Sequence, residues 1–564
     1  MPLTDHRQTA WKIRAGASIR ASAFICAGAF FVIACSEKSP RTTQVATNGT
    51  LVIATSAEAK GLFPPLIGSA SSRQIEEQIY DYLAVVGPEL NTFGDTGFLP
   101  RLAESWKWSA DSLSIAFTID HRARWHDGVI ADAADVRYTY GVYTNPAVGS
   151  AEASELTNID SVTTPDLRTA TFWYRRRSSY QLLDATMMMI LPRHLFERIP
   201  MDSLRAAGLV AKPIGTGRFR FKRSTSGSSL EVTADTANYR GRPGLDRVIW
   251  SFAPDGATAF TKLLGGEADL FAALKPEDVG QAKRSAPLKV VSIPSADYVY
   301  LAFNLRKPIF ASRQLRRALT MAVDRASLVK NVYDTLARVA IGPTARVFPT
   351  TDTTLRQIAF DPDQAKTILD SLGWRAKSSE DFRKRSGKTL AFTVLVPSSS
   401  PQRKRLAVLM QEQLRQIGVA VKIEEMEFNT FQSRVESRDF DAMMWDWRLG
   451  ATPNSIRDLW GSASARQRGG SNYGSYQNSR FDSYVDSAIA ARTLAATKTY
   501  FSAAYQIIID DAPAIWLAEP NTVIGLHRRI RTGLMRADAW WFDLGSWSIP
   551  KSGQIDRDRI PTDQ

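Results

Sequence analysis

Residues 390–447 constrain the fold of this chain more than any other stretch. Residues 390–396 form a continuous apolar run, the pattern of a strand buried on both faces. Residues 402–417 place Leu406, Leu409, Met410 and Leu414 on one helical stripe, and Gly418 follows where a helix ends in a left-handed residue. Residues 419–423 read as the next strand, 428–435 as a short helix and 440–447 as a third strand. Strand–helix–strand units cross over right-handed and build a parallel sheet with helices on its faces. Such α/β sheets bind ligands beyond the carboxyl ends of their strands. Two loops lie there, 397–401 and 448–454. The serines Ser398, Ser399 and Ser400 open a helix, so hydroxyls and backbone N–H groups are available to an anion.

The N-terminus is of another kind. Arg7, Lys12, Arg14 and Arg20 precede an uncharged run from 21 to 34, too short to span a membrane but long enough for a signal peptide. The run ends in Val32-Ile33-Ala34-Cys35, which resembles a bacterial lipobox and implies cleavage before Cys35 and a lipid on its sulfur. Both cysteines, Cys26 and Cys35, lie in this leader, so the mature chain is expected to have no disulfide or thiol chemistry. Residues 36–48 are polar and aperiodic, the composition of a flexible tether. The net charge of +14 raises the question of nucleic acid. The basic residues are scattered, however, and the runs Arg175-Arg176-Arg177 and Arg528-Arg529-Ile530-Arg531 are short, so a solvated face is expected and no nucleic-acid partner.

Residues 102–141 carry the most specific order. Ala103-Glu104-Ser105-Trp106 precedes a strand at 113–119 with period-two alternation, then a corner at Trp125-His126-Asp127-Gly128. Asp132 stands as an N-cap before a helix from 133 to 143. This order resembles the signature of family 5 extracellular solute-binding proteins, the dipeptide, oligopeptide and nickel receptors of ATP-driven importers. Pro213-Ile214-Gly215-Thr216-Gly217, Phe303-Asn304 with Leu315-Arg316-Arg317-Ala318-Leu319, and Ser471-Asn472-Tyr473-Gly474 also fit that family. The glycines at 215 and 217 open a strand rather than a helix, so they make a structural turn and not a phosphate cradle. A helix is expected at 74–86 and a single long one at 315–332, with arginines covering its outer face.

The resemblance spans roughly residues 51–547. It implies an α/β, two-lobed periplasmic-binding-protein-like (type II) fold with an extra subdomain on the first lobe and the ligand cleft between lobes. The expected division is a signal peptide at 1–35, a tether at 36–48, a first lobe at 49–294 with a subdomain at about 87–207, a second lobe at 295–512, and a return at 513–564. The lobe crossings are expected at 292–296 and 512–517. Expected ligand contacts are Ser56, Glu58, Ser398, Ser399, Trp445, Trp447, Thr452, Asn454, Asn472 and Tyr473, the tryptophans by stacking. In the family's peptide receptors an aspartate in the loop after the Trp447 strand pairs with the peptide ammonium. Here no carboxylate lies between Trp447 and Asn454, and alternation turns Asp446 away from Trp445 and Trp447. A neutral or anionic solute, or a peptide held by its backbone, is therefore expected.

His121, His126, His194 and His527 share no ligand spacing, so no metal or cofactor is expected. No nucleophile elbow appears either. The expectation is a monomeric, lipid-anchored receptor that delivers peptides or a related solute to ABC permease subunits. The alternatives are an exported hydrolase or peptidase, and a receptor for a nickel chelate, a glycoside or another non-peptide solute.

Overall fold

The computed structural model describes residues 44–45, 48–59, 61–66, 69–378, 381–450 and 455–560. Cys35 with its leader, most of the tether, and the loop residues Thr452 and Asn454 lie outside the described residues.

Ala391–Pro397 runs parallel to Ala420–Met426 on one side and to Ala442–Arg448 on the other. Helix Pro401–Arg415 makes the first crossover. Val394 and Val396 enter one core with Leu301 and Met444. Leu395 enters the opposite core with Tyr298 and Met443. A strand between two cores has no face for a polar residue, hence the uninterrupted apolar run. Gly418 ends the helix region with φ of 80°. Leu406, Met410 and Leu414 are buried, but Leu409 is 36% exposed and leaves the expected stripe.

The ladder continues through Asp297–Phe303 to the 14-residue strand Ala514–His527, which both lobes share. Pro520 pairs with Ala337 of the second lobe, and the next residue, Asn521, pairs with Pro294 of the first. Beyond it follow Leu270–Phe271, Thr50–Thr55, Arg247–Phe252, Ser229–Ala234 and Phe219–Thr225. One sheet therefore becomes two lobes by a change of partner. Ser295-Ala296 joins the strands Leu288–Pro294 and Asp297–Phe303, which pair with different parts of the long strand. The second crossing comes later than 512–517, because Ala514, Ile515 and Trp516 pair wholly with the second lobe. Ser295 ties the two crossings together, its Oγ donating to the Pro520 carbonyl at 2.7 Å.

Ala103–Trp108, Ser114–Ile119, Thr169–Tyr174 and Ile159–Thr163 form a separate four-stranded sheet, in that order. Helix Ala133–Thr144 packs on it and starts at a capping box between Asp132 and Asp135. The corner before that helix grips the glycine turn. His126 Nε2 lies 2.9 Å from the Gly217 carbonyl, and His126 Nδ1 accepts from Gly215 N–H at 3.2 Å.

Two expected helices differ. The first spans Ala70–Ile79, capped by Ser69, and gives way to the strand Ala84–Val86. Leu83 belongs to the core of the four-stranded sheet whereas Ile75 and Ile79 belong to that of the main sheet, so one straight helix cannot serve all three. The second splits into Arg313–Met321 and Arg325–Tyr333, because Asp324 caps a new helix by accepting from Ser327 N–H. Two arginines expected at the surface are buried. Arg316, 6% exposed, donates to the Phe310, Asp511 and Ala512 carbonyls and so closes helix Leu494–Asp511. Arg529 donates to Asp269 at 2.8 Å and to Asp558 at 2.8 Å, both acids fully buried.

Candidate ligand cleft

The change of strand partner leaves a cleft of about 470 Å³ between the lobes. Its floor is the shared strand at Pro520 to Val523. The first lobe contributes Ser56, at the end of Thr50–Thr55, together with Lys275, Trp540 and Trp541. The second lobe contributes Asp297, Gln402, Arg403, Asp446 and Arg448. These lie at the carboxyl ends of the parallel strands Ala391–Pro397 and Ala442–Arg448, where a ligand site is expected.

Opposite charges on the second-lobe wall are already joined. Arg448 donates through Nε and Nη2 to Asp297 at 3.1 and 3.2 Å. Arg403 Nη2 lies 2.5 Å from Asp446 Oδ1. Burial pushes the Asp297 carboxyl above its ordinary range, and the Arg448 guanidinium only partly offsets that. Burial disfavours the Arg448 cation in turn, yet Asp297 outweighs it and holds arginine above its ordinary value. Gln402 lines the cleft, and its buried Nε2 has no hydrogen-bond partner among the described residues.

Among the residues expected to contact ligand, the structure brings Ser56 into the cleft lining. Glu58 turns elsewhere, accepting from Ser226 Oγ at 3.1 Å and Gly227 N–H at 2.9 Å. Ser398 and Ser399 are exposed outside the lining, while their neighbour Ser400 both lines the cleft and caps the following helix. Trp445 and Trp447 face away from the cleft: Trp445 stacks on Phe431 at 5.0 Å, and Trp447 on Tyr473 at 5.9 Å. Asn472 is 1% exposed and holds the Gly461 and Tyr476 carbonyls. Strand alternation indeed separates Asp446 from the tryptophans. The structure shows that Asp446 and Arg448 have the cleft face. Arg403, Arg448, Asp297 and Gln402 were missed by sequence reasoning. The alternation of 445–448 was the available signal, but only the partner strand tells which face is open.

Among the described residues, Glu104, Asp120 and His121 form the one group with metal-ligand proximity. Arg168 and Arg122 already pair with its two carboxylates, and none of the three lines the cleft.

Two α/β lobes on one sheet, meeting where a shared strand changes partner beside a charged cleft, have the architecture of a solute-binding protein. Residues 97–468 match the family described as bacterial extracellular solute-binding proteins, family 5 middle. The chain belongs to that family. It is 28% identical to the oligopeptide-binding protein AppA of Bacillus subtilis over 490 residues, covering 84% of this chain and 87% of that one. It is 24% identical to the dipeptide-binding protein of Escherichia coli over 509 residues, covering 86% and 91%. The structure of AppA from Bacillus subtilis in complex with a nonapeptide superimposes with a TM-score of 0.77, at 26% identity, over 90% of this chain and 100% of that one.

Proposed function

We propose that this protein is the receptor of an ABC importer for peptides or a related dipolar solute. The observation that carries this reading is the pairing of charges in the cleft, Arg448 with Asp297 and Arg403 with Asp446. A zwitterion can exchange into such a wall, its carboxylate taking a guanidinium and its ammonium a carboxylate. Neither charge is then left buried and unpaired. The peptide-binding relatives support the same class of solute. The sequence expectation was a neutral or anionic solute, or a peptide held by its backbone; Asp446 in the cleft lining supports a dipolar solute instead.

The protein binds and releases, with no catalytic step of its own and no cofactor. Its first lobe runs over 49–294, with a subdomain at about 87–207, and resumes after Pro520; its second lobe runs over 295–520. Ligand drives closure of the two through contacts made only when they approach. It acts as a monomer beside permease subunits, exported and held at a membrane by lipid on Cys35. No helix among the described residues is long and apolar enough to cross a membrane, and an acyl anchor supplies that attachment otherwise.

Mass spectrometry of the ligand released from natively purified protein tests the solute class. A peptide or other compound with both an ammonium and a carboxylate is expected, and a ligand lacking either group overturns it. Calorimetry with that ligand and its N-acetylated form then tests Asp446. Acetylation and Asp446→Asn should each weaken binding by about tenfold or more. Equal affinity for both forms excludes an ammonium anchor in the cleft.

A further inference from the structure

A second cavity, of about 230 Å³, lies within the first lobe beside helix Ala70–Ile79. Five arginines line it: Arg73, Arg101, Arg218, Arg240 and Arg536. Their partners are unequal. Arg73 stands 3.7 Å from Glu152, Arg240 lies 2.6 Å from Asp81, and Arg536 grips Asp538 at 2.5 and 3.1 Å. The other carboxylates of the cavity are engaged as well. Asp81 also accepts from Thr216 and Tyr239, Glu77 from Tyr82 and Trp541, and Asp543 from Ser546.

Arg101 and Arg218 reach no carboxylate among the described residues. Arg101 donates to the Pro100 carbonyl at 3.3 Å. Arg218 donates to the Gly241 and Arg242 carbonyls at 3.3 and 2.7 Å. The Nε of Arg240 is buried without a partner among the described residues. Arg101 and Arg536 both lie against the Phe542 ring, at 5.6 and 4.4 Å, which orients the two cations without neutralising either. Burial and the neighbouring Arg240 push Arg101 down to about 10. Five carboxylates line the same cavity, but Arg101 and Arg218 meet only backbone carbonyls, so their guanidiniums keep donors for an anion.

We propose that this cavity is an anion-binding site in which Arg101, Arg218 and Arg240 take a carboxylate or phosphate group of a small solute. The planar fork of arginine suits both groups, since each offers two oxygens in one plane. The site is separate from the cleft guanidiniums Arg403 and Arg448, which belong to the second lobe, and does not depend on which solute the cleft holds. The two spaces adjoin, because Asp538 and Trp541 line both.

The test is thermal unfolding and calorimetry of the purified protein with inorganic phosphate and with succinate, each against sodium chloride at equal ionic strength. A saturable rise in Tm with one or both anions is expected, and the two arms tell phosphate from carboxylate. Arg101→Gln and Arg218→Gln should each weaken that binding about tenfold, with an unchanged circular-dichroism spectrum. Arg101→Lys, which keeps the charge but loses the fork, should fall between. No saturable shift with either anion overturns the proposal. So does binding that persists at full strength in both glutamine variants, which would put the anion elsewhere.

Discussion

Gly215 shows what a single missing side chain does. A Cβ there would stand 1.8 Å from the Ile79 carbonyl oxygen, and one at Gly217 would stand 2.4 Å from that of Gln78. Both obstacles are backbone, so neither can swing aside. The turn must pass this close because His126 holds it at both ends. Its Nδ1 accepts from Gly215 N–H, which leaves Nε2–H to donate to Gly217. Burial favours that neutral ring and lowers the His126 pKa. Gly215→Ala should destabilise the protein by about 3 kcal/mol or more in urea unfolding. A loss below about 1 kcal/mol, the ordinary cost of a surface change, would mean that the turn has room to move. Arg529 tests burial of charge at the same scale. Arg529→Met leaves buried Asp558 without its guanidinium and Asp269 with Arg557 alone, and should cost about 3–5 kcal/mol. A neutral outcome in the same assay would show that Arg557 alone compensates the two acids.

Helix Ala70–Ile79 turns Glu76 inward with Ile75 and Ile79. Both Glu76 carboxylate oxygens are buried without a hydrogen-bond partner among the described residues. Burial pushes this carboxyl from 4.5 up to about 8, against the pull of Arg73. The folded state thus holds its proton more tightly than the unfolded chain. Its stabilising effect is full below about pH 4.5 and is lost as pH rises through about 8. Glu76→Gln keeps the shape and removes the titration. The variant should match the parent at pH 4 and exceed it at pH 9 by roughly 2 kcal/mol or more. Parallel stability curves across that range would show that Glu76 ionises without cost. The neighbouring lesson is Arg316, whose guanidinium closes helix Leu494–Asp511 where Ala512 turns left-handed at φ of 48°. An element built from one segment is finished by a side chain from another.

Across the whole molecule, a few contacts outside the cleft join the lobes. Arg405 lies 3.5 Å from Glu277, Ser179 Oγ donates to the Ala491 carbonyl, and Leu90 sinks into the second-lobe core with Tyr298 and Trp460. If ligand drives closure, these contacts favour the bound state without touching the solute. Solution scattering should show a smaller radius of gyration with ligand than without. Leu90→Ala should weaken ligand binding by roughly three- to tenfold, with the cleft residues untouched. A radius unchanged by saturating ligand, or wild-type affinity in Leu90→Ala, would identify a rigid cleft.

Local pattern carried a large part of this protein. The apolar run at 390–396, the stripe of Leu406, Met410 and Leu414, and the cap at Asp132 each depend on neighbours a few residues away, and each is legible in the chain alone. The family signature at 102–141 likewise stood in the order of residues. What the sequence could not decide is which neighbour a residue meets from far away. Alternation put Asp446 and Arg448 on one face and Trp445 and Trp447 on the other, but the open face was settled by Asp297 across the sheet and by Phe431 and Tyr473 behind it. Arg529 looked like part of a solvated basic run until Asp269, 260 positions earlier, enclosed it. The second crossing could not be found in a strand that runs on unbroken, since only its partners change, from Ala337 at Pro520 to Pro294 at Asn521. Periodicity is a property of one segment, whereas burial and charge pairing belong to the contacts between segments, and only the tertiary structure supplies those.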